Sequence, residues 1–196
     1  MVSQTAFVSE ERFTQKTFWT WLNGLPSSDI NHYELLNGRI VMTPPAGWPH
    51  GSLEATIVHR LRAFVERTKL GGVFGSSTSY DLPSGDTVEP DVSFISKQRL
   101  AGGPKPVAGR FLKIVPNLVV EIPSTATAQR DRTEKKQIYE QNGVEEYWIV
   151  DPKLRLVTVY GLGAKGYGAG KEFTTGQVIS RELAGLKISH KELFAA

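Results

Sequence analysis

The chain has 196 residues, most simply a single domain spanning 1–196 with a sizeable core, and its 22% charged and 40% hydrophobic residues are ordinary for a globular protein. It contains no cysteine, which excludes disulfides and cysteine-ligated zinc, and no apolar run approaches the ~20 residues of a membrane span. The net charge of +3 and a sequence pI of about 9.1 permit a polyanionic partner without requiring one.

Read in chain order, the N-terminal stretch "MVSQTAFVSEERF" lacks the basic start and apolar centre of a signal peptide, so a cytoplasmic protein is expected. "FTQKTFWTWLNGLP" predicts a short helix stopped by Gly24 and Pro26. "YELLNGRIVM" predicts a hairpin whose Asn37-Gly38 pair supplies the positive φ angles of a type I′ turn. A rigid loop, "TPPAGWPHG", leads to a helix from Ser52 to Lys69 with Leu53, Ile57, Leu61, Phe64 and Val65 on one face, ended by Gly71-Gly72. "VFGSSTSYDLP" and "TVEPDVSFIS" read as two strands joined by a Ser-Gly-Asp turn, and "KQRLAGGPKPVAGR" as a loop. "NLVVEIP" is apolar on both faces, as a central strand is. A helix from about Arg130 to Gln141 follows, stopped at Asn142-Gly143; then come strands "EEYWIVDP" and "RLVTVYGL", a glycine-rich turn, a strand "GQVIS" and a last short helix. The order predicts an α/β or α+β fold, a mixed sheet flanked by helices.

Two nucleotide-binding patterns fail on context. "GLGAKG" follows a strand but precedes no helix, and a dinucleotide site needs that helix N-terminus. "AGK" at 169–171 is followed by Glu172 instead of Ser or Thr and lacks the upstream glycine of a P-loop, so no organic cofactor is expected. His32, His50, His59 and His190 have no metal-ligand spacing.

What survives is a set of charges in apolar surroundings. Asp91 sits within "TVEPDVSFIS", and Glu121 follows Leu118, Val119 and Val120. An ionised carboxylate there is costly unless it is paired or binds a metal. If the two strands are neighbours, Asp91 and Glu121 converge, and two carboxylates plus a backbone carbonyl suit Mg²⁺. On the following helix, Asp131, Lys135, Ile138, Tyr139 and Asn142 fall within about 60° of one direction, while Lys136 lies near 100° at the edge of the stripe. An inward lysine after an acid-bearing strand is unusual. Each residue alone has a bland explanation, such as a turn cap or the Asp131–Lys135 i,i+4 pair; jointly they favour a site.

The ordered pieces "YELLNGRIVMTPPAGWPHG", "TVEPDVSFIS", "VPNLVVEIPS", "RDRTEKKQIYEQNGVEEYWIVDP" and "VTVY" resemble the PD-(D/E)XK nuclease superfamily, and within it a bacterial restriction-endonuclease-like domain of unknown function. The resemblance implies a restriction-endonuclease-like fold, with Asp91, Glu121 and the Ile122 carbonyl holding Mg²⁺ or Mn²⁺. It implies a catalytic lysine displaced from the strand, where Pro123 stands, to Lys135 on the helix, and a supporting acid at Glu34. The expected function is Mg²⁺-dependent DNA endonuclease chemistry, hydrolysis of a phosphodiester by a metal-activated water. Arg130, Arg132 and Lys136 are candidates for contacts to flanking phosphates, DNA is the expected partner, and cutting duplex DNA favours a homodimer. The alternative is a catalytically degenerate nucleic-acid-binding or assembly domain of the same fold. A glycosidase using Asp91 and Glu121 explains neither Lys135 nor a loop of phosphate-binding character, and it would work with chelator present.

Overall fold

Asn37 and Gly38 both adopt positive φ, 50° and 74°, and close the predicted hairpin between β2 (His32–Leu36) and β3 (Arg39–Thr43). The structure, a computed structural model, describes residues 7–195; residues 1–6 of the stretch read above for leader character lie outside the described residues. Ahead of the hairpin come β1 (Phe7–Val8) and α1 (Gln15–Leu22), the latter opened by a capping box between Thr14 and Thr17. After it come α2 (His50–Thr68), β4 (Gly71–Gly75), β5 (Tyr80–Asp81), β6 (Thr87–Val88), β7 (Val92–Ser96), α3 (Lys97–Gly102) and β8 (Leu118–Glu121). Then α4 (Ala128–Arg130) runs through a π-helical turn, Asp131–Lys135, into α5 (Lys136–Gln141). The chain ends with β9 (Glu146–Asp151), β10 (Leu156–Gly161), β11 (Lys171–Phe173), β12 (Gln177–Ile179), β13 (Lys187–Ser189) and α6 (His190–Leu193). No helix among the described residues is long and apolar enough to cross a membrane.

The strands form a larger mixed sheet, ordered β11-β10-β9-β8-β7-β4, and a smaller one, β1-β3-β2-β6-β5, with β12 and β13 as a separate ribbon. In the larger sheet only β8 and β9 are parallel; the helical segment between them is the crossover that parallel pairing requires. Both faces of this sheet are covered. Leu53, Ile57 and Leu61 of α2 pack on Val92, Phe94, Leu118, Val120 and Trp148. Ile138 and Tyr139 of α5 pack on Val119, Tyr147 and Ile149, together with Leu36, Val41 and Val88 from the smaller sheet. This is the mixed α+β fold that the element order predicts.

Three local expectations are corrected. "TVEPDVSFIS" is not one strand: β6 belongs to the smaller sheet and β7 to the larger, and Glu89-Pro90-Asp91 is the crossing between them. A proline cannot donate to a ladder, so the break falls where Pro90 stands. "KQRLAG" is a helix rather than loop, because the Ser96 hydroxyl accepts from the Arg99 N–H and caps it. α2 ends at Lys69, whose φ of 56° is left-handed, while Gly71 and Gly72 already belong to β4.

Candidate active site

Glu121 is the last residue of β8 and lies on the face of Val119, toward the crossover helix. Its Oε1 accepts from the Tyr139 hydroxyl at 2.5 Å and stands 2.5 Å from Lys135 Nζ. The same ammonium lies 2.9 Å from Oε1 of Glu34 on β2, which also accepts the Glu89 N–H at 2.9 Å. Lys135 is 3% exposed, Glu121 4% and Glu34 7%, so the lysine joins two buried carboxylates that come from different sheets. The inward position expected from the helical wheel is the observed one. Glu34 and Lys135, separated by a hundred residues of chain, are direct partners.

Asp91 stands just before β7. The β7–β8 ladder pairs Val92 with Val120, and one step further places Asp91 opposite Glu121. Its Oδ2 accepts the Ile122 N–H at 2.6 Å, which pins the carboxylate to the end of β8. Its Oδ1 is 3.1 Å from Nε2 of His50, the first residue of α2. His50 is a site-lining residue that sequence reasoning missed. The only signal for it was position: His50, Leu53 and Ile57 share one face at i, i+3 and i+7. A second histidine, His32, places Nδ1 2.9 Å from Glu89 Oε2 on the same side.

The four expected catalytic residues line one cavity of about 510 Å³, together with Ile122, His50, Asp131 and Arg130. Of the three basic residues expected to meet phosphate, only Arg130 faces it. Arg132 is paired with Asp151 at 2.6 Å, and Lys136 stands 4.4 Å over the Tyr160 ring.

Burial dominates the electrostatics. It pushes the Glu121 carboxyl well up, against the pull of the Lys135 ammonium. Burial also pushes Asp131, only 3% exposed, up to about 6. Burial alone would lower Lys135, but the carboxylates of Glu121, Glu34 and Asp131 outweigh it and hold the ammonium charged. The His50 imidazole is treated the same way: burial lowers it, Asp91 outweighs burial, and the net direction is up. His32 is raised chiefly by its hydrogen bond to Glu89.

The cavity wall carries Glu34, Glu54, Glu89, Asp91, Glu121 and Asp131 against only two permanent cations, Lys135 and Arg130. Such an excess of carboxylate leaves the wall net negative. Among the described residues no three His, Asp or Glu side chains form a ready-made metal cage. Asp91, Glu121 and the Ile122 carbonyl, all hard oxygens at one cavity wall, could serve as donors, and as a set they suit Mg²⁺ or Mn²⁺, which keep several waters and take one or two carboxylates.

A family model described as "Uma2: Putative restriction endonuclease" matches residues 19–190. Among solved structures, a "putative nuclease belonging to DUF820 from Anabaena variabilis ATCC 29413" is similar with a TM-score of 0.77 and 20% identity, covering 93% of this chain and 98% of that one. At that identity the likeness is one of fold. No curated protein matches the chain.

Proposed function

The chain belongs to the Uma2 family, a restriction-endonuclease-like group, and from that premise we propose that it is a divalent-metal-dependent DNA endonuclease working at the Glu34–Asp91–Glu121–Lys135 cavity. The observation that carries this reading is the buried ammonium of Lys135 held between Glu121 at 2.5 Å and Glu34 at 2.9 Å beside a carboxylate-rich opening. Asp91, Glu121 and the Ile122 carbonyl would hold Mg²⁺ or Mn²⁺, which when bound supplies a more acidic water and neutralises charge on the phosphate.

The chain's own groups do the rest. An ammonium has three N–H bonds, and two point at Glu121 and Glu34. The third would be offered to the attacking water or a phosphate oxygen, where a fixed positive charge would stabilise the developing negative one. Tyr139 and the Ile122 N–H hold Glu121 and Asp91 in place before substrate arrives, so no reorganisation is needed during the reaction. Arg130, at the cavity wall, would take a flanking phosphate.

The test is nicking of supercoiled plasmid by purified protein with Mg²⁺, with Mn²⁺ and with chelator. Wild type is expected to cut only with metal, and Asp91→Ala and Glu121→Ala to lose cutting while retaining a folded circular-dichroism spectrum. Undiminished cutting by either variant removes that residue from the metal site. Metal-indifferent DNA binding with no cutting under any condition supports the degenerate binding or assembly domain instead.

A further inference from the structure

We propose that His32 is a catalytic proton donor, giving its Nε2 proton to the oxygen that leaves phosphorus, with Glu89 as the positioning residue that holds its ring; this rests on the nuclease reading above and adds the proton that reading does not supply. His32 and Glu34 stand at i and i+2 on β2, so they share one face of the strand, roughly 6.5–7 Å apart along it. Both line the cavity, together with Glu89, Asp91 and His50. Nδ1 of His32 is 2.9 Å from Glu89 Oε2. Facing a carboxylate, that nitrogen is the donor, so the hydrogen bond fixes the ring and leaves Nε2 on the far side from Glu89. Among the described residues Nε2 takes part in no hydrogen bond. Glu89 is itself held: its N–H donates to Glu34 Oε1 at 2.9 Å, and its Oε1 lies 3.5 Å from the Ser79 hydroxyl.

The oxygen expelled from a phosphodiester is strongly basic and leaves faster when a positioned acid protonates it in the transition state. The other groups at the wall are poor acids. Glu121, Glu34 and Asp131 hold the Lys135 ammonium charged, and a guanidinium such as that of Arg130 does not give up a proton. His50 Nε2 already faces Asp91 at 3.1 Å, and Asp131, with its carboxyl at about 6, is mostly ionised at neutral pH. In-line displacement places the entering and leaving oxygens on opposite sides of phosphorus. Lys135 reaches the cavity at Glu34, and His32 is the next position on that face of β2. A phosphate between them has one cation for each of those two oxygens.

The surroundings of the ring favour its charged form. The hydrogen bond to Glu89 raises it most, burial opposes, and the charges of Glu89, Asp91 and Glu34 add to the rise. His50 on α2 is the other titratable group that feels the ring, and Thr43, opposite His32 on β3, carries no charge. As the phosphorus–oxygen bond breaks, its electron pair stays on the departing oxygen, which takes the Nε2 proton. The ring is left neutral with its Nδ1–H still on Glu89, while the water that adds to phosphorus releases its own proton to solvent. With 43% of its side chain exposed, His32 regains a proton from solvent before the next turnover.

The experiment measures cleavage at saturating Mg²⁺ by wild type, His32→Ala, His32→Gln and Glu89→Gln, on an ordinary oligonucleotide duplex and on one in which sulfur replaces the bridging oxygen that leaves. A thiolate departs without protonation. Both His32 variants are expected to cut the oxygen substrate about 10²-fold or more slowly, and the sulfur substrate at close to the wild-type rate. His32→Gln still offers an N–H to Glu89 but no acidic proton, so it separates proton donation from support of the site. The wild-type rate on oxygen should fall as pH rises through the His32 value, because the acid form is then lost; the fall should vanish in His32→Gln and move to lower pH in Glu89→Gln. In metal-free protein, the His32 ring resonances should titrate above an ordinary histidine, and lower in Glu89→Gln than in wild type; coincident titrations would remove Glu89 from its role. Equal losses on both substrates in His32→Gln, or undiminished cutting of the oxygen substrate, overturn the proposal. If wild type cuts in those cases, the nuclease reading stands without this donor; a wild type that cuts neither substrate, with Mg²⁺ or Mn²⁺, removes both.

Discussion

Lys135 shows how one side chain is held in a setting that would reject it alone. A buried ammonium is unfavourable, and so are the buried carboxylates of Glu34 and Glu121; together they satisfy one another. Removing the lysine therefore has two consequences that must be separated. Lys135→Ala leaves two uncompensated acids and is expected to cost about 3–5 kcal/mol of stability, and it removes the charge proposed to face the phosphate, about 10²-fold or more in rate. Lys136, half-buried over Tyr160, makes a contact worth about 0.5–1 kcal/mol, so Lys136→Ala should change both properties little. Adding Glu34→Gln to Lys135→Ala removes one orphaned charge; urea denaturation should show partial recovery of stability, and plasmid nicking should show none. Glu34→Gln alone is the control: if Lys135 only supports the fold, the double variant nicks as well as Glu34→Gln does. Equal losses from the two single variants would show that both lysines merely bind phosphate.

Secondary-structure elements place these side chains, and the most telling one is interrupted. The acid at position 91 stands in apolar surroundings because the chain changes sheets there: β6 ends at Val88, Pro90 breaks the ladder, and β7 begins at Val92. β7 is then held by β4 on one side and β8 on the other. β4 approaches so closely that a Cβ on Gly71 would collide with the Ile95 carbonyl, whereas one on Gly51 in α2 would meet nothing within 4 Å. Gly71→Ala is thus expected to lower the melting temperature sharply, since backbone must move at the strand that leads from Asp91, while Gly51→Ala leaves it unchanged or slightly higher. A wild-type-like melt for Gly71→Ala would show that the sheet edge yields without cost. Hydrophobic periodicity made the hairpin, α2, β8 and the inward face of the crossover helix legible, because each buries an apolar pattern over several residues. It could not show that β6 and β7 lie in different sheets, since both halves alternate in the same way and only Pro90 hinted at the break. The π-helical turn at Asp131–Lys135 leaves no compositional mark. His50 was illegible for a different reason: its partner, Asp91, lies 41 positions along the chain, and nothing near either residue announces the pairing.

At the scale of the whole molecule, the cavity is assembled from parts that meet only in the folded chain: Glu34 from the smaller sheet, Asp91 from just before β7 and Glu121 from the end of β8, His50 and Glu54 from α2, Lys135 and Asp131 from the crossover. A cation that binds this constellation therefore binds the native state and not the unfolded one, and must stabilise it by mass action. At a hundredfold excess over its dissociation constant the gain is about 2.7 kcal/mol, or roughly 5–10 °C in melting temperature for a chain of this size. The carboxylate excess argues in the same direction, because Asp91 and Asp131 both push Glu121 further from ionisation, beyond the effect of burial, and a bound cation relieves that repulsion. Asp91→Asn separates the metal effect from Asp91's other contacts. Its amide oxygen can still accept the Ile122 N–H seen at 2.6 Å, and the lost attraction to His50 at 3.1 Å is offset by one fewer negative charge beside Glu121. The metal-free variant should melt close to wild type, and Mg²⁺ should raise the melting temperature of wild type but hardly that of the variant. Calorimetric scans of both proteins, with Mg²⁺ and with chelator, read this directly. A wild type indifferent to Mg²⁺, beside a variant that melts well below it, would make Asp91 a structural acceptor for His50 and Ile122 and leave the carboxylates without their proposed cation.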